Sequence, residues 1–244
     1  MLANHPTPDT RVATVRHREV SDGVQYAVYD QGDIRWLGTS DGAVQAAVQL
    51  SAPTTPIMQY IRTMLSGLAL TPRVDRVLDL GYGCGTLASS VRTAFPNARI
   101  VSVDSSHAMV TLAHRWLGGA APERILMTRA ERFLSQPQLP VSAIFCDLHA
   151  GRSEGTPILD DAFHASAARA LNEDGVYVLN LLPRDEADAV ALLKPIRSHF
   201  PHLWLSPVIG CQNLVVHARK TACKGVNRAA PFADVWTPAL LSHH

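Results

Sequence analysis

The spacing of apolar positions along the chain changes near residue 70. Before it, residues 11–50 alternate apolar and polar positions through RVATVRHREV, GVQYAVYD and DIRWLGTS. Each segment mixes β-branched or aromatic residues with polar ones, the two-residue period of half-buried strands. Ser21-Asp22-Gly23 and Asp30-Gln31-Gly32-Asp33 supply turn residues between them. A small antiparallel β unit over 1–54 is predicted. Residues 55–72 follow as an entry helix and linker, with Ile57, Tyr60, Ile61 and Met64 on one helical face. From residue 74 short apolar runs alternate with helical stretches. The pattern predicts strands over 76–80, 99–104, 124–128, 141–147, 175–182, 202–209 and 213–219. It predicts helices over 86–95, 106–117, 130–135, 159–171 and 185–200. VSAIFCD and GVYVLNLL are unbroken apolar runs, as strands buried on both faces are. Strand–helix alternation over 73–220 predicts an α/β domain with a parallel, doubly wound sheet. The last two strands are joined by a few residues around Gly210. A parallel crossover needs a dozen or more, so the final strand runs antiparallel.

Composition narrows the partners. The chain has 244 residues, 47% hydrophobic and 18% charged, enough for one α/β domain with a small appendage. Lys+Arg is 22 and Asp+Glu is 21, a net charge of +1. A protein held to nucleic acid through phosphates carries a larger basic excess, so nucleic acid is not an expected partner. No apolar stretch approaches the ~18 residues that span a bilayer. MLANHPTPDT lacks the basic and apolar regions of a signal peptide. Cys84, Cys146, Cys211 and Cys223 form no C-x-x-C pair, so no metal site is expected. They read as reduced, mostly buried thiols of a cytoplasmic protein. Residues 221–244 form a basic tail, read as solvated or as a subunit contact.

The candidate chemistry begins at VLDL-Gly81-Tyr82-Gly83-Cys84-Gly85-Thr86, a glycine-rich turn between a strand and a helix. Glycines let the backbone turn tightly and let a ligand lie against it. Asp104 ends the next strand, where an acid accepts both ribose hydroxyls. The spacing is G-x-G-x-G, which favours a nucleoside without a pyrophosphate. Asp147 ends the fourth strand, where ligands gather in open α/β sheets. Five crossovers followed by a terminal hairpin are the pattern of class I S-adenosylmethionine (SAM) methyltransferase-like folds.

From about residue 20 to 220 the chain resembles the spermidine synthase-like (polyamine aminopropyltransferase) family. VYDQGDIRWLGTSDGAVQ, PIMQYIRTM, VLDLGYGCGTL, IVSVD, AIFCDLHAG, DGVYVLNLL and FPHLWLSPVIGCQNLVVHA resemble family blocks in the right order. Family members transfer the aminopropyl group of decarboxylated SAM to a diamine. The resemblance implies that Gln25 touches the cofactor, that Gly81, Gly83 and Gly85 back the nucleoside, and that Asp104 holds the ribose. It implies that Asp147 orients and deprotonates the attacking amine, that Tyr60 lines the amine channel and that Gln45 faces the site. It further implies homo-oligomer assembly through the N-terminal β unit.

Three departures separate the chain from polyamine synthases. Cys84 stands where they carry an Asp in the glycine loop. That Asp reaches the aminopropyl end and repels the carboxylate of intact SAM. A second Asp three residues after Asp147 is missing; Asp147-Leu148-His149-Ala150 offers His149 as a base near neutral pH instead. Arg129-Ala130 stands where the family places an Asp-Ala that accepts from adenine. Arg has no acceptor, which leaves adenine to a backbone partner and Arg129 to Glu131 or Asp147. His149–Pro157 reads as a substrate lid with Glu154 as its acid. Three readings stay open: alkyl transfer from intact SAM to a small nucleophile such as an amine, aminopropyl transfer from decarboxylated SAM, and a non-catalytic module that keeps the fold.

Overall fold

The computed structural model describes residues 9, 12–40, 42–120, 124–148, 159–223, 225–235 and 239–240. The described residues form two sheets. The first is antiparallel, in the order β1 (Thr14–Ser21), β2 (Val24–Gln31), β3 (Ile34–Thr39), β4 (Val44–Gln49). Strand β4 was not among the predicted segments. VQAAVQ is rich in alanine, which has low strand propensity, and it is the cover on both faces that makes it a strand. Ala46 and Val48 pack with Leu37, Val28, Ala108, Leu112 and Leu117. Ala47 and Trp36 pack in a second cluster with Ile61, Met64 and Leu65.

Helix α1 (Gln59–Ser66) and a 3-10 turn over Gly67–Leu70 connect the two sheets. Tyr60, Ile61 and Met64 are buried, as their helical spacing predicts. The second sheet follows: β5 (Arg76–Leu80), α2 (Thr86–Ala94), β6 (Arg99–Asp104), α3 (His107–Trp116), β7 (Ile125–Met127), α4 (Ala130–Leu134), β8 (Val141–Cys146), α5 (Asp161–Ala170), β9 (Leu171–Leu181), α6 (Glu186–His199), β10 (His202–Pro207), β11 (Leu214–Arg219) and β12 (Ala239–Leu240). Its order is β12-β10-β11-β9-β8-β5-β6-β7. β5 pairs parallel with β6 and β8, and β8 parallel with β9. β11 runs antiparallel between β9 and β10, the direction that the short link at Gly210 requires. The chain order reverses between β5 and β8, so a crevice opens beyond their carboxyl ends.

The N-terminal sheet is tied to this domain beside α3. Arg35 Nη1 donates to the Trp116 carbonyl oxygen at 3.0 Å, while Arg35 Nε donates to Asp30 Oδ1 and Nη2 to Asp30 Oδ2 at 2.6 and 2.8 Å. Arg16 Nε donates to Asp30 Oδ2 at 2.6 Å. These bonds, Arg35's first, hold the Asp30 carboxyl down at about 2. All four cysteines are free, with Cys146 buried and the other three half-buried. Just ahead of the basic tail, Lys220 pairs with Glu173 at 2.8 Å, and Arg219 bonds the Gly175 and Asp174 carbonyls. Among the described residues no helix is long and apolar enough to cross a membrane.

Candidate active site

A cavity of about 360 Å³ sits at the crevice. Its lining includes Gln45, Tyr60, Gly81, Gly83, Cys84, Asp104 and Asp147 from the expected set, joined by Tyr26, Tyr82 and Ser105. One wall is backbone. Gly81 has φ of 90°, and a Cβ there would collide with the carbonyl oxygen of Asp147. Gly85 has φ of 75°, and a Cβ there would collide with the Tyr82 hydroxyl. Both conditions exclude other residues. Asp104 cinches the loop: its Oδ2 accepts from the Gly83 N–H at 2.9 Å and its Oδ1 from the Ser106 N–H at 2.8 Å.

The loop amides are largely spent inside the fold. Gly81 and Tyr82 donate to the Val103 carbonyl, Gly83 to Asp104, and Gly85 to the Tyr82 carbonyl. They do not form the open nest that a pyrophosphate needs, in agreement with the G-x-G-x-G spacing. Below the loop lies a group that sequence reading missed. Asp79 on β5 is buried, accepts from Ser102 Oγ at 3.0 Å, and is pushed up to about 7 by burial. It therefore keeps its proton on the acid side of neutrality, where no third negative charge forms beside Asp104 and Asp147. An acid inside the apolar run VLDL was the visible signal.

The other wall is built from side chains. Asp147 continues β8, its N–H donating to the Leu80 carbonyl at 2.9 Å. Its Oδ1 accepts from Asn180 Nδ2 at 2.8 Å. Burial raises the Tyr60 hydroxyl well above its ordinary range, and the Asp147 carboxylate that it bonds raises it further. Cys84 Sγ lies 3.0 Å from Thr86 Oγ1, and burial pushes its thiol up. The thiol stays protonated and neutral, although loops at helix N-termini often lower a cysteine.

Four expected residues lie elsewhere. Gln25 is exposed on β2 and outside the lining. Its neighbour Tyr26 faces the cavity instead, since successive strand residues point to opposite faces. Arg129 and Ala130 line a smaller cavity of about 160 Å³ that shares Asp104, Ser105 and Leu148 with the first. There the Arg129 side chain is exposed and donates to Glu131 Oε1 at 2.8 Å; of its two expected partners it takes Glu131. Gly85 lies behind the lining, against Tyr82. His149 and Glu154 fall outside the described residues.

Carboxylates line this cavity, and no cationic side chain does among the described residues. That charge suits a sulfonium and an amine, both cations. A glycine loop after β5, an acid closing β6 and an inserted antiparallel β11 define the class: SAM-dependent transferases with a spermidine synthase-like form of the class I methyltransferase fold. A family model, the methyltransferase small domain, matches residues 61–192, and the chain belongs to that family. It is 24% identical over 184 residues to a polyamine aminopropyltransferase of Neisseria meningitidis serogroup A, spanning 73% of this chain and 67% of the relative. It is 32% identical over 146 residues to a malonyl-[acyl-carrier protein] O-methyltransferase of Geobacter sulfurreducens, spanning 59% of this chain and 49% of the relative. Its fold matches a probable spermidine synthase from Corynebacterium glutamicum with a TM-score of 0.69 at 17% identity, over 91% of this chain and 85% of that one.

Proposed function

We propose that the protein alkylates a small amine using intact SAM as donor. The observation that carries this reading is one cavity holding the Asp104-cinched glycine loop on one side and the Asp147 carboxylate on the other. Asp104 keeps lone pairs for ribose hydroxyls, and Gly83 and the neutral Cys84 leave room for the amino-acid tail. When bound, the sulfonium nucleoside supplies an alkyl carbon that bonds to the acceptor nitrogen as its C–S bond breaks and a neutral thioether leaves. Asp147 binds the amine as a cation and then takes the proton it must lose. Tyr60 stays un-ionised and orients the carboxylate through its hydroxyl. Gln45 and Tyr26 close the cavity from the N-terminal sheet, which excludes water and fixes the approach. His149 and Glu154, which follow Asp147 in the sequence, are assigned to the acceptor by that position alone. Arg129 and Ala130 flank the adenine side, where a backbone partner reads the base. Gln25 supports the sheet from outside.

A second reading, aminopropyl transfer from decarboxylated SAM, is favoured by one feature. Among the described lining residues none is a cation that would pair with a methionine carboxylate. Parallel calorimetric titration with SAM, decarboxylated SAM and methylthioadenosine separates the two. Tighter binding of SAM is expected; preference for decarboxylated SAM would install the second reading, and binding of none would overturn both. The reaction belongs in the cytoplasm, in keeping with four free thiols. The edge of β1, which among the described residues pairs with β2 alone, is the assembly surface of a homodimer. A monomer by light scattering at micromolar concentration would remove that part of the proposal.

A further inference from the structure

Asn180 interrupts the apolar run of β9 and is 5% exposed. A buried amide costs free energy unless its donor and acceptor are met. The parallel register pairs Cys146 with Leu179, so the next step along both strands sets Asn180 beside Asp147. Asn180 Nδ2 donates to Asp147 Oδ1 at 2.8 Å, and Asn180 Oδ1 accepts from Asn213 Nδ2 at 2.8 Å. Asn213 lies just ahead of β11, where its carbonyl accepts from the Val208 N–H at 3.0 Å and holds the β10–β11 hairpin. Each link determines the next. With its oxygen committed to Asn213, Asn180 can present only its NH₂ to Asp147.

We propose that Asn213 and Asn180 form an amide relay that positions Asp147 and assigns the proton it receives to Oδ2. This rests on the reading of Asp147 as the group that binds and deprotonates the amine. Oδ1 already faces an N–H donor, so a proton there would set two donors against each other. The Tyr60 hydroxyl also bonds the carboxylate, but a hydroxyl can turn from donor to acceptor where an amide NH₂ cannot, so Oδ2 is the oxygen that can take the acceptor amine's proton. The amine's N–H bond breaks, its electron pair goes to the new C–N bond, and the proton rests on Oδ2 until solvent takes it. Both asparagines are positioning residues, because they act through Asp147. Rotation of the carboxylate would spoil the approach of the nitrogen, and an error of ~1 Å in such geometry costs about 100-fold in rate.

The test is a double-mutant cycle on the full chain, read by the pH titration of the Asp147 side-chain carboxyl carbon in NMR. Asp147→Asn assigns the resonance. N213D turns the relay around: an aspartate at 213 accepts from Asn180, whose oxygen then turns toward Asp147. The titration midpoint is expected to rise by about one pH unit, the scale of one lost charged hydrogen bond. N213D also adds a nearby negative charge. Repeating it in an N180L background keeps that charge and removes the relay. A clearly smaller shift in that background supports the relay; equal shifts in both backgrounds overturn it. N213A, half-buried and milder, should shift the midpoint less than N213D, and an equal shift would also count against the relay. Methylthioadenosine titration of each variant, expected within twofold of wild type, confirms an intact fold. If wild type itself binds no nucleoside, the proposed function fails while the order of midpoints still tests the relay.

Discussion

The two walls of the cavity face the same space but are held by different physics. The glycine wall is backbone: left-handed residues, amides consumed internally, and one acid that ties the loop to α3. The Asp147 wall is side chain on side chain, with one amide from β9 and one from the turn before β11 behind a single carboxylate. A backbone wall fixes shape and admits few substitutions. A side-chain wall can change its chemistry while the strands beneath it stay put.

Gly81→Ala tests the contrast most severely. Alanine at a left-handed position costs about 1–2 kcal/mol, and its Cβ would meet the Asp147 carbonyl oxygen. Loop and β8 would be forced apart. Methylthioadenosine affinity is expected to fall by at least about 100-fold, with a lower Tm, while Asn180→Ala should leave that affinity within about twofold. Parallel melts and titrations check both. Equal losses in the two variants would erase the distinction between the walls.

A second break concerns the charge beneath the glycine wall. Asp79 titrates at about 7 in the fold because burial opposes its ionisation, against roughly 4 when unfolded. Below about pH 4 both states hold the proton and there is no effect. Between these values only the unfolded state releases it, so the folded state binds more protons and stability falls as pH rises. Above about 7 the cost is fully present. Asp79→Asn keeps an acceptor for Ser102 and removes the titration. Relative to wild type it should gain about 2–4 kcal/mol between pH 5 and pH 8 in urea unfolding. A constant difference across that range would mean that Asp79 does not titrate there.

Legibility in the sequence follows the same division. The strands and helices of the main domain lie within a few residues of their expected bounds, because each is an apolar run closed by turn residues. Gly81, Asp104 and Asp147 were visible because backbone turns and strand ends leave their mark locally. The relay was not: each of its links joins residues 33 apart in sequence. Only the lone asparagine in GVYVLNLL announced it, and an apolar run was the louder signal. Gln25 and Tyr26 show how a correct strand can still mislead. The strand period of two makes one residue of register decide which side chain faces the cavity. Strand β4 needed tertiary cover on both faces to exist, which alanine-rich sequence does not display.

The join between the sheets gives a smaller effect with the opposite pH sign. The carboxyl of Asp30 titrates at about 2 because Arg35, and then Arg16, bond its charged form. A depressed carboxyl stabilises above its unfolded value near 4, and that contribution disappears as pH falls through about 2. Arg16 is half exposed and screened by solvent. Asp30→Asn should therefore cost about 1–2 kcal/mol at pH 7 and progressively less toward pH 2. Urea unfolding at pH 7 and pH 3 checks the slope. A loss independent of pH would show that shape, not charge, secures the N-terminal sheet beside α3.

Cys84→Asp sharpens the comparison where the two walls meet. The thiol is neutral and lines the cavity between Gly83 and Thr86. A carboxylate there would add charge to a lining that already holds Asp104 and Asp147. It would oppose the carboxylate of intact SAM and attract the ammonium of the decarboxylated donor. The expected result is SAM binding weakened about tenfold and decarboxylated SAM strengthened by a similar factor, each near 1.4 kcal/mol. Methylthioadenosine, which carries neither tail group, should change least and so reports on packing alone. If all three weaken together, position 84 acts through volume, and donor choice must be written in the side-chain wall instead. If the two sulfonium donors diverge while methylthioadenosine holds, a single residue of the backbone wall sets which alkyl group the side-chain wall receives.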